Sequence, residues 1–261
     1  MGVFRFKKFE VVNERSAMKV NTDGVLLGAL MTIRPDDRNL LDIGTGTGTI
    51  ALMAAQRLCA LAGRSFADAQ DDSRAMAIGG DECSSAIRID AIDIDEPSVS
   101  EAAANFRNSP WSDSLHAHHA SLEDFAARIP YDLIFSNPPY FDNALQAPEE
   151  RRNAARHTST GLSYREILDF AARHLSQGGR VVLVLPADTE HDLTRHARMS
   201  SLHLYMITRV RTVPRKAPSR IVAEFSRQRT DRPEDITLTI QNRGEYTQEY
   251  LDLMHEFYLF A

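Results

Sequence analysis

Leu41-Asp-Ile-Gly-Thr-Gly-Thr-Gly48 is a short apolar run that passes directly into a glycine-rich loop, and residues 49–58 behind it have the pattern of a helix. Glycines at such a junction let the backbone pass close to a ligand, and the first turn of the helix offers N–H groups that have no partner within the helix. The junction therefore predicts a ligand site at the edge of a sheet.

The rest of the chain continues this alternation of apolar strands and amphipathic helices. Buried strands are predicted at 39–43, 87–94, 133–136 and 180–185, and helices at 49–58, 96–105 and 164–174. The third helix opens with the capping box Ser163-Tyr-Arg-Glu166, and Gly178-Gly179 is expected to close it. Further on, we expect a helix at 188–199, strands at 202–212 and 220–226, a strand after the turn at 231–235 and a helix at 247–259.

This order of elements is typical of a single α/β domain, residues 1–261, with a doubly wound parallel sheet. Residues 1–38 precede the glycine loop and are expected to cover cofactor and substrate. Residues 60–86 are small, polar and acidic without a clear period, so we interpret them as an insertion that forms a surface loop. Residues 200–261 are expected to add the C-terminal strands, a helix and a basic patch.

Asp93 is the candidate for binding the sugar of a nucleotide-like cofactor. A ribose-binding acid ends the next strand about 20 residues after such a glycine loop. Asp93 lies 45 residues past Gly48, and removal of the insertion restores the usual spacing. Ile94 should then cover the adenine, with Asp95 as the rival carboxylate and a helix cap as the alternative role. Because a dinucleotide fingerprint would have Gly or Ala at Thr49, S-adenosylmethionine is favoured over NAD.

Asn137-Pro-Pro-Tyr140 follows the apolar strand Asp132-Leu-Ile-Phe135 and is the most specific signal in the sequence. An amine conjugated to a ring is a poor nucleophile, and two carbonyl acceptors promote the tetrahedral geometry that it needs for attack. The Asn137 side-chain oxygen and the Pro138 carbonyl can supply them, with Pro139 fixing the turn and Tyr140 stacking on the flat target. The tetrapeptide thus predicts methylation of an amino nitrogen on a planar group.

Composition limits the remaining possibilities. A chain of 261 residues with 43% hydrophobic residues and a net charge of −6 is typical of a globular protein with a sizeable core. The N-terminus mixes phenylalanines with charges, which argues against a signal peptide, and no stretch reaches membrane length. We expect a cytoplasmic, membrane-independent protein, with a monomer favoured. His116, His118 and His119 have no acid or cysteine to complete a metal site, so no metal is expected.

Basic residues are concentrated in one stretch of an otherwise acidic chain. Residues 209–232 carry eight basic and two acidic side chains, a net charge of +6, and include Arg215, Lys216 and Arg220. Lys7 and Lys8 lie among Phe4, Phe6 and Phe9 near the N-terminus. These residues are predicted to contact RNA phosphates, with a solvated charged face as the alternative. For the phenylalanines, base stacking and core packing both remain open.

With these motifs in view, the chain resembles the bacterial tRNA1(Val) (adenine-N6)-methyltransferases, small Rossmann-like class I enzymes that methylate the adenine beside the anticodon. The matching segments are Phe4-Arg-Phe-Lys-Lys-Phe9, Lys19-Val-Asn-Thr-Asp-Gly-Val-Leu-Leu-Gly28, the glycine loop, Asn137-Pro-Pro-Tyr-Phe141, Ala155-Arg-His157 and Gly178-Gly-Arg-Val-Val182. The resemblance implies a seven-stranded, mostly parallel sheet with an antiparallel C-terminal strand. It also implies S-adenosylmethionine as cofactor and tRNA, at adenine 37 of tRNA1(Val), as substrate.

The resemblance also assigns further site residues. Thr22 and Asp23 would lie near the methionine end of the cofactor, and Asp42, Gly44, Thr45, Gly46 and Gly48 would form the loop around it. Phe141, Arg156 and His157 would border the pocket for the target base. The chain departs from the family at Ser121-Leu122, where an Asp followed by an apolar residue usually holds the adenine of the cofactor. Ser121 can still bind the adenine amine, more weakly than a carboxylate.

Three alternatives remain open at this point. A release-factor glutamine N5-methyltransferase uses the same tetrapeptide, but such enzymes carry a large N-terminal domain and only 40 residues precede Leu41 here. A DNA or rRNA adenine N6-methyltransferase would also have to present an unstacked base to the pocket. A cofactor-binding module without activity is disfavoured by the presence of Asn137.

Overall fold

The computed structural model describes residues 2–16, 18–67, 87–139 and 162–261, with the side chains of 63–67 left aside. An antiparallel hairpin of β1 (Val3–Arg5) and β2 (Glu10–Val12) begins the chain, and α1 (Thr22–Leu30) follows it. Phe6 and Phe9 are buried at 4% and 6% exposure and stack on each other with ring centroids 4.5 Å apart. These two rings therefore pack into the core, and Phe4 is partly buried against it.

A central sheet of eight strands forms the body of the described chain. Its strands are β3 (Asn39–Ile43), β4 (Arg88–Asp93), β5 (Leu115–His119), β6 (Tyr131–Ser136), β7 (Leu175–Pro186), β8 (His203–Arg211), β9 (Arg220–Ser226) and β10 (Glu234–Thr239). They lie in the order β10-β8-β9-β7-β6-β3-β4-β5. β9 runs antiparallel to both of its neighbours, and the other pairs are parallel. The doubly wound sheet with an antiparallel C-terminal strand is confirmed, and β10 adds an eighth strand at the edge.

Helices cover both faces of this sheet. They are α2 (Thr49–Ala67), α3 (Glu96–Arg107), α4 (Tyr164–His174), α5 (Glu190–Met199) and α6 (Gln248–Met254), after the small hairpin of β11 (Gln241–Asn242) and β12 (Glu245–Tyr246). Alternate residues of β7 enter two separate cores. Val182 and Val184 pack with α1, α2 and α3, whereas Val181, Leu183 and Leu185 pack with α4 and α5. Burial on both faces explains why these strands are continuous apolar runs.

Several predicted boundaries differ from the structure, and the larger differences concern α2, α6 and the Gly178-Gly179 pair. α2 continues through residues 60–67, since Ala60, Leu61 and Arg64 are good helix formers, so the first part of the predicted insertion is helical. α6 ends at Met254, earlier than the predicted residue 259. Gly178-Gly179 does not close α4, because the chain enters β7 directly after His174. Gly179 instead allows close approach to β6, since a Cβ there would lie 2.7 Å from the Tyr131 carbonyl oxygen.

The amino edge of the sheet, where β3, β6 and the buried part of β7 begin, is held by an internal ion pair. Arg180 and Asp37 are 1% and 2% exposed. The guanidinium donates to both carboxylate oxygens of Asp37 at 2.9 and 2.8 Å and to the Thr32 carbonyl oxygen at 2.6 Å. Two parallel hydrogen bonds between planar groups fix the chain before β3 against β7.

The carboxyl edge of the sheet collects the predicted site residues. The glycine loop follows β3, Asp93 ends β4, and Asn137 follows β6. Because β3, β4 and β6 are parallel neighbours, their carboxyl ends lie side by side. This is the position at which open α/β sheets bind ligands. Within the described residues, no helix combines the length and apolar character needed to span a membrane.

Candidate active site

The glycine loop adopts a backbone that requires glycine. Gly44, Gly46 and Gly48 have φ values of 72°, 55° and 80°, in the left-handed region that L side chains rarely adopt. A Cβ on Gly48 would also lie 2.4 Å from the Phe106 ring, so this glycine lets α3 approach the loop. The loop therefore leaves space and backbone N–H groups at the end of β3, as a close-fitting cofactor requires.

Asp42 lies beneath the loop as a buried carboxylate. Its Oδ2 accepts a hydrogen bond of 2.7 Å from the Thr45 hydroxyl, while its Oδ1 makes no hydrogen bond of ordinary geometry within the described residues. Burial raises the pKa of Asp42 to about 7. The hydrogen bond from Thr45 lowers this pKa, and the nearby Asp93 raises it. A buried acceptor of this kind fits a ligand that brings a donor or a positive charge.

Asp93 and Asp95 have separate roles. Asp93 accepts from Gly46 N at 2.9 Å and from Asp95 N at 3.0 Å, which holds its carboxylate against the glycine loop. Asp95 is the N-cap of α3, accepting from Ser98 N at 3.0 Å and Ser98 Oγ at 2.6 Å. Ile94 between them is 73% exposed, unusual for an isoleucine beside a sheet edge. The Asp93 carboxylate thus lies against the glycine loop, and Asp95 caps α3.

Ser121 follows β5 in a turn with Asp124, a residue that the sequence did not point to. Its hydroxyl donates to Asp124 Oδ2 at 2.7 Å and accepts from Asp124 N at 3.1 Å. Ala120 N donates to the Asp93 carbonyl oxygen, so the turn lies beside the end of β4. Leu122 packs against the core that contains α4 and α5. A serine that already donates its proton has only acceptor capacity left, which suits an amine.

Asn137 comes directly after β6 and is 6% exposed. Ser136 ties β6 to β3 by donating to the Ile43 carbonyl oxygen at 2.6 Å. The Asn137 Nδ2 donates to Asn21 Oδ1 at 3.4 Å and to Met18 Sδ at 3.7 Å. Pro138 is buried and Pro139 is exposed. The other predicted residues of this part of the site, Tyr140, Phe141, Arg156 and His157, lie outside the described residues.

A segment before α1, residues 14–16 and 18–21, crosses this edge and is called the strap below. Glu101 on α3 accepts from the backbone N–H groups of Glu14, Arg15 and Ser16 at 2.7, 2.8 and 3.0 Å. Burial would raise the pKa of Glu101, and the three donors outweigh it and lower that pKa. Further along the strap, a Cβ on Gly46 would lie 3.5 Å from the Met18 carbonyl oxygen. The strap therefore passes over the glycine loop and reaches Asn137.

The first turn of α1 continues the strap. Asn21 is its N-cap, accepting from Gly24 N at 2.8 Å, and Thr22 is the first helical residue. Asp23 forms an ion pair with Arg220 of β9, with Nε and Oδ2 2.9 Å apart. Asp23, predicted to lie near the cofactor, and Arg220, predicted to contact RNA, thus pair with each other and link α1 to β9. The sequence had offered no role for Asn21, Met18 or Glu101, because polar contacts this distant along the chain have no local pattern.

The predicted RNA-contact residues divide into two groups. Arg215 and Lys216 are exposed in the turn between β8 and β9, which lies at the carboxyl edge because β8 ends there. Lys8 is exposed as well. Lys7, in contrast, donates to the carbonyl oxygens of His255 and Ala261 at 2.6 and 2.8 Å, and Arg209 pairs with Asp235 and Glu190. Some of the basic residues, such as Lys7 and Arg209, therefore make contacts within the protein.

The histidines of β5 have local partners. His118 Nε2 lies 2.7 Å from Asp90 Oδ1, and His119 Nε2 lies 3.0 Å from the Ile94 carbonyl oxygen. In the parts of the chain that the structure describes, no group of three His, Cys, Asp or Glu side chains could hold a metal ion.

Comparison with known proteins identifies the class. Residues 29–213 match the family UPF0020, described as RMKL-like, methyltransferase domain. The crystal structure of a predicted O-methyltransferase, protein Atu636 from Agrobacterium tumefaciens, superposes with a TM-score of 0.60 over 90% of this chain and 96% of that chain, at 15% identity. That likeness shows the fold. Family match and fold together define a class I methyltransferase, the class of enzymes that use S-adenosylmethionine as cofactor.

Relatives that align with this chain over nearly their full length then identify the family within this class. The tRNA1(Val) (adenine(37)-N6)-methyltransferase of Flavobacterium psychrophilum is 37% identical over 98% of this chain and 99% of the relative. Those of Phocaeicola vulgatus and Pseudoalteromonas translucida are 38% and 33% identical, over 98% and 99% of this chain and 97% and 99% of the relatives. The chain belongs to the family of bacterial tRNA1(Val) (adenine(37)-N6)-methyltransferases, which confirms the resemblance found in the sequence.

Proposed function

We propose that this protein methylates N6 of adenine 37 in tRNA1(Val), with S-adenosylmethionine as methyl donor and Asn137 as the catalytic residue. The family supports the substrate, since the relatives carry this activity in their names. The observation that carries the catalytic assignment is the position of Asn137, which lies after β6 beside the glycine loop with its amide nitrogen turned toward the strap.

The described residues fit the cofactor. Gly44, Gly46 and Gly48 leave a close backbone cradle, Asp42 offers a buried acceptor, and Ile94 offers an exposed apolar face. We assign the ribose hydroxyls to Asp93 and the adenine amine to Ser121. Thr22, at the start of α1, and Leu122 border the same edge. When bound, S-adenosylmethionine supplies an electrophilic methyl group.

Asn137 and Pro138 prepare the adenine amine for attack. The amine nitrogen must shift its lone pair out of conjugation with the ring, and it does so when both of its protons are held by acceptors. We assign these acceptors to Asn137 Oδ1 and to the Pro138 carbonyl oxygen. We assign the rigidity of the turn to Pro139 and stacking on the base to Tyr140. The methylated ammonium is acidic and loses its proton to solvent, so the site needs no strong general base.

The tRNA would approach the carboxyl edge. The exposed turn with Arg215 and Lys216 lies at that edge, and exposed Lys8 offers a further positive charge. Phe141, Arg156 and His157 would complete the base pocket. We further propose that the enzyme works in the cytoplasm and acts on tRNA as a monomer.

Labelled S-adenosylmethionine, given with the purified protein to unmodified tRNA, DNA or release factor in separate reactions, tests this proposal. We expect label in tRNA, at N6 of one adenine. The Asn137→Ala variant should lose about 10²-fold in kcat, as for the loss of one transition-state hydrogen bond. Asn108→Ala, which removes an exposed asparagine after α3, serves as the matched control and should retain activity.

Each contrary outcome has a definite meaning. Label in release factor alone would replace the proposal with glutamine N5-methylation, and label in DNA alone would replace tRNA with DNA as the substrate. Label in tRNA that persists in Asn137→Ala would leave the substrate standing and remove the catalytic role of Asn137. No transfer to any substrate would favour a cofactor-binding module.

A further inference from the structure

The orientation of the Asn21 side-chain amide is fixed by backbone groups. Gly24 N–H can only donate, so the atom that accepts it at 2.8 Å is Oδ1 of Asn21. The Lys19 carbonyl oxygen can only accept, so the atom 3.0 Å from it is Nδ2. Two partners of fixed polarity, one at each end of the amide, leave a single orientation for Asn21.

This orientation decides that of Asn137. Asn21 Oδ1, already identified as an acceptor, lies 3.4 Å from the Asn137 amide, and Met18 Sδ, also an acceptor, lies 3.7 Å from the same atom. The facing atom of Asn137 must therefore be Nδ2, whose two hydrogens match the two acceptors. The Asn137 carbonyl oxygen consequently lies at the opposite end of the planar amide, away from the strap.

We propose that Asn21 is a positioning residue that keeps the Asn137 amide in the orientation in which its oxygen, and not its nitrogen, meets the target amine. This inference rests on the proposed function. A flipped Asn137 would present N–H donors to an amine whose protons are donors as well, so it could not promote the attack. The backbone groups therefore fix the orientation of the Asn21 amide, and Asn21 in turn fixes the orientation of the Asn137 amide.

Two substitutions separate this role from helix capping. Ser and Asp are both good N-caps, so Asn21→Ser and Asn21→Asp should each preserve the bond to Gly24 N and the stability of α1. Only Asp is long enough to offer a second acceptor to Asn137 Nδ2. We expect Asn21→Ser to lower kcat about tenfold, less than the loss of a direct transition-state hydrogen bond. Asn21→Asp should keep most of the wild-type kcat, although it loses the hydrogen bond that Asn21 Nδ2 donates to the Lys19 carbonyl oxygen.

The measurements are kcat and KM for tRNA, the Kd of S-adenosylmethionine by calorimetry, and Tm. In both variants KM, Kd and Tm should stay close to the wild-type values, since only the orientation of Asn137 is affected. Thr247→Ala is the matched control because Thr247 is the N-cap of α6, far from Asn137 in the fold. It should lower Tm and leave kcat near the wild-type value.

Equal kcat values for the Ser and Asp variants, whether high or low, would overturn the positioning role, because two equivalent caps would then be equivalent in catalysis. Failure of the proposed function is visible separately, as wild-type protein that does not label tRNA. If the wild type labels another substrate, the same two variants compared on that substrate decide the role of Asn21.

Discussion

At the amino edge of the sheet a buried carboxylate meets a guanidinium, whereas at the carboxyl edge a buried carboxylate lies under a bare glycine loop. Both oxygens of Asp37 accept hydrogen bonds from Arg180. Asp42, only five residues further along the chain, has Thr45 on one oxygen and no hydrogen bond of ordinary geometry on the other within the described residues. Both side chains are almost fully buried, so exposure does not explain the contrast.

The difference separates a carboxylate that joins two segments of the fold from one that the proposed function places beside the cofactor. A buried carboxylate with a bidentate guanidinium partner has both oxygens satisfied and joins two segments of the chain. Burial destabilises the charged form of Asp42 and raises its pKa to about 7, because its hydrogen bonds do not offset the loss of solvent. The carboxyl edge thus carries a cost in stability that binding of the cofactor can offset.

Removal of the amino-edge pair should give the largest effect. Arg180→Ala leaves Asp37 buried without its partner, and loss of one member of a buried pair costs about 3–5 kcal/mol. Denaturant unfolding, monitored by circular dichroism, measures this change. The double variant Arg180→Met with Asp37→Leu removes both charges and should recover much of the stability. If the single variant unfolds at the same denaturant concentration as the wild type, the Arg180–Asp37 pair does not stabilise the amino edge.

Asp42 should make the stability of the ligand-free protein depend on pH. Its pKa is raised from 3.8 to about 7 in the folded state, so the folded protein holds this proton more tightly than the unfolded chain. The contribution to stability is therefore full below about pH 4 and is lost as the pH rises toward 7, by up to about 4 kcal/mol.

The matched variant is Asp42→Asn, which keeps the shape of the side chain and cannot ionise. Its stability should vary less between pH 4 and pH 7 than that of the wild type, as measured by denaturant unfolding at several pH values. Identical pH profiles for the two proteins would show that the Asp42 carboxylate is not destabilised, and the contrast with Asp37 would then disappear.

The sequence predicted the fold because its strands are buried on both faces and its helices carry strong boundaries. The strand at 220–226 and the helix at 164–174 agree with the structure at both ends, and each has a clear local pattern. The glycine pair 178–179 was misassigned, since glycine after a helix usually marks its end and here permits close packing between β6 and β7. Only the three-dimensional structure distinguishes these two uses.

The sequence predicted those parts of the candidate site in which a motif has one usual structural role. The glycine loop and Asn137 come together at the carboxyl edge as expected, and Asp93 reaches the loop despite its long separation in sequence. The strap was not predictable in this detail, because Glu101 recognises backbone N–H groups and Asn21 recognises a second amide. Such contacts depend on which segments the fold brings together. The contacts of Lys7 were not predictable for the same reason, since its partners are carbonyl groups at the other end of the chain.

A substitution of Gly48 tests the carboxyl edge, and it should lower the stability of the protein less than Arg180→Ala does. Gly48→Ala places a Cβ at positive φ, which costs about 1–2 kcal/mol, and also against the Phe106 ring. Gly244 in the hairpin has a φ of 89° and no atom within 4 Å of its Cβ position, so Gly244→Ala carries the same backbone strain without the contact.

Calorimetric titration with S-adenosylmethionine should therefore show weaker binding for Gly48→Ala and unchanged binding for Gly244→Ala, with Tm lowered in both. Equal affinities in the two variants would mean that the Gly48 loop has no part in holding the cofactor.

The smallest effect is expected from the exposed turn at the carboxyl edge. Arg215→Ala and Lys216→Ala remove charges that have no role in the core, so Tm should stay constant while KM for tRNA rises severalfold. If each side chain meets one phosphate, the salt dependence of tRNA binding should become shallower by about one in log–log slope per residue. Arg128→Ala is the control, because Arg128 is exposed shortly before β6, at the amino edge. An equal loss of tRNA affinity in all three variants would indicate a general effect of net charge, and a loss confined to Arg215 and Lys216 would assign the tRNA to the edge that holds Asn137.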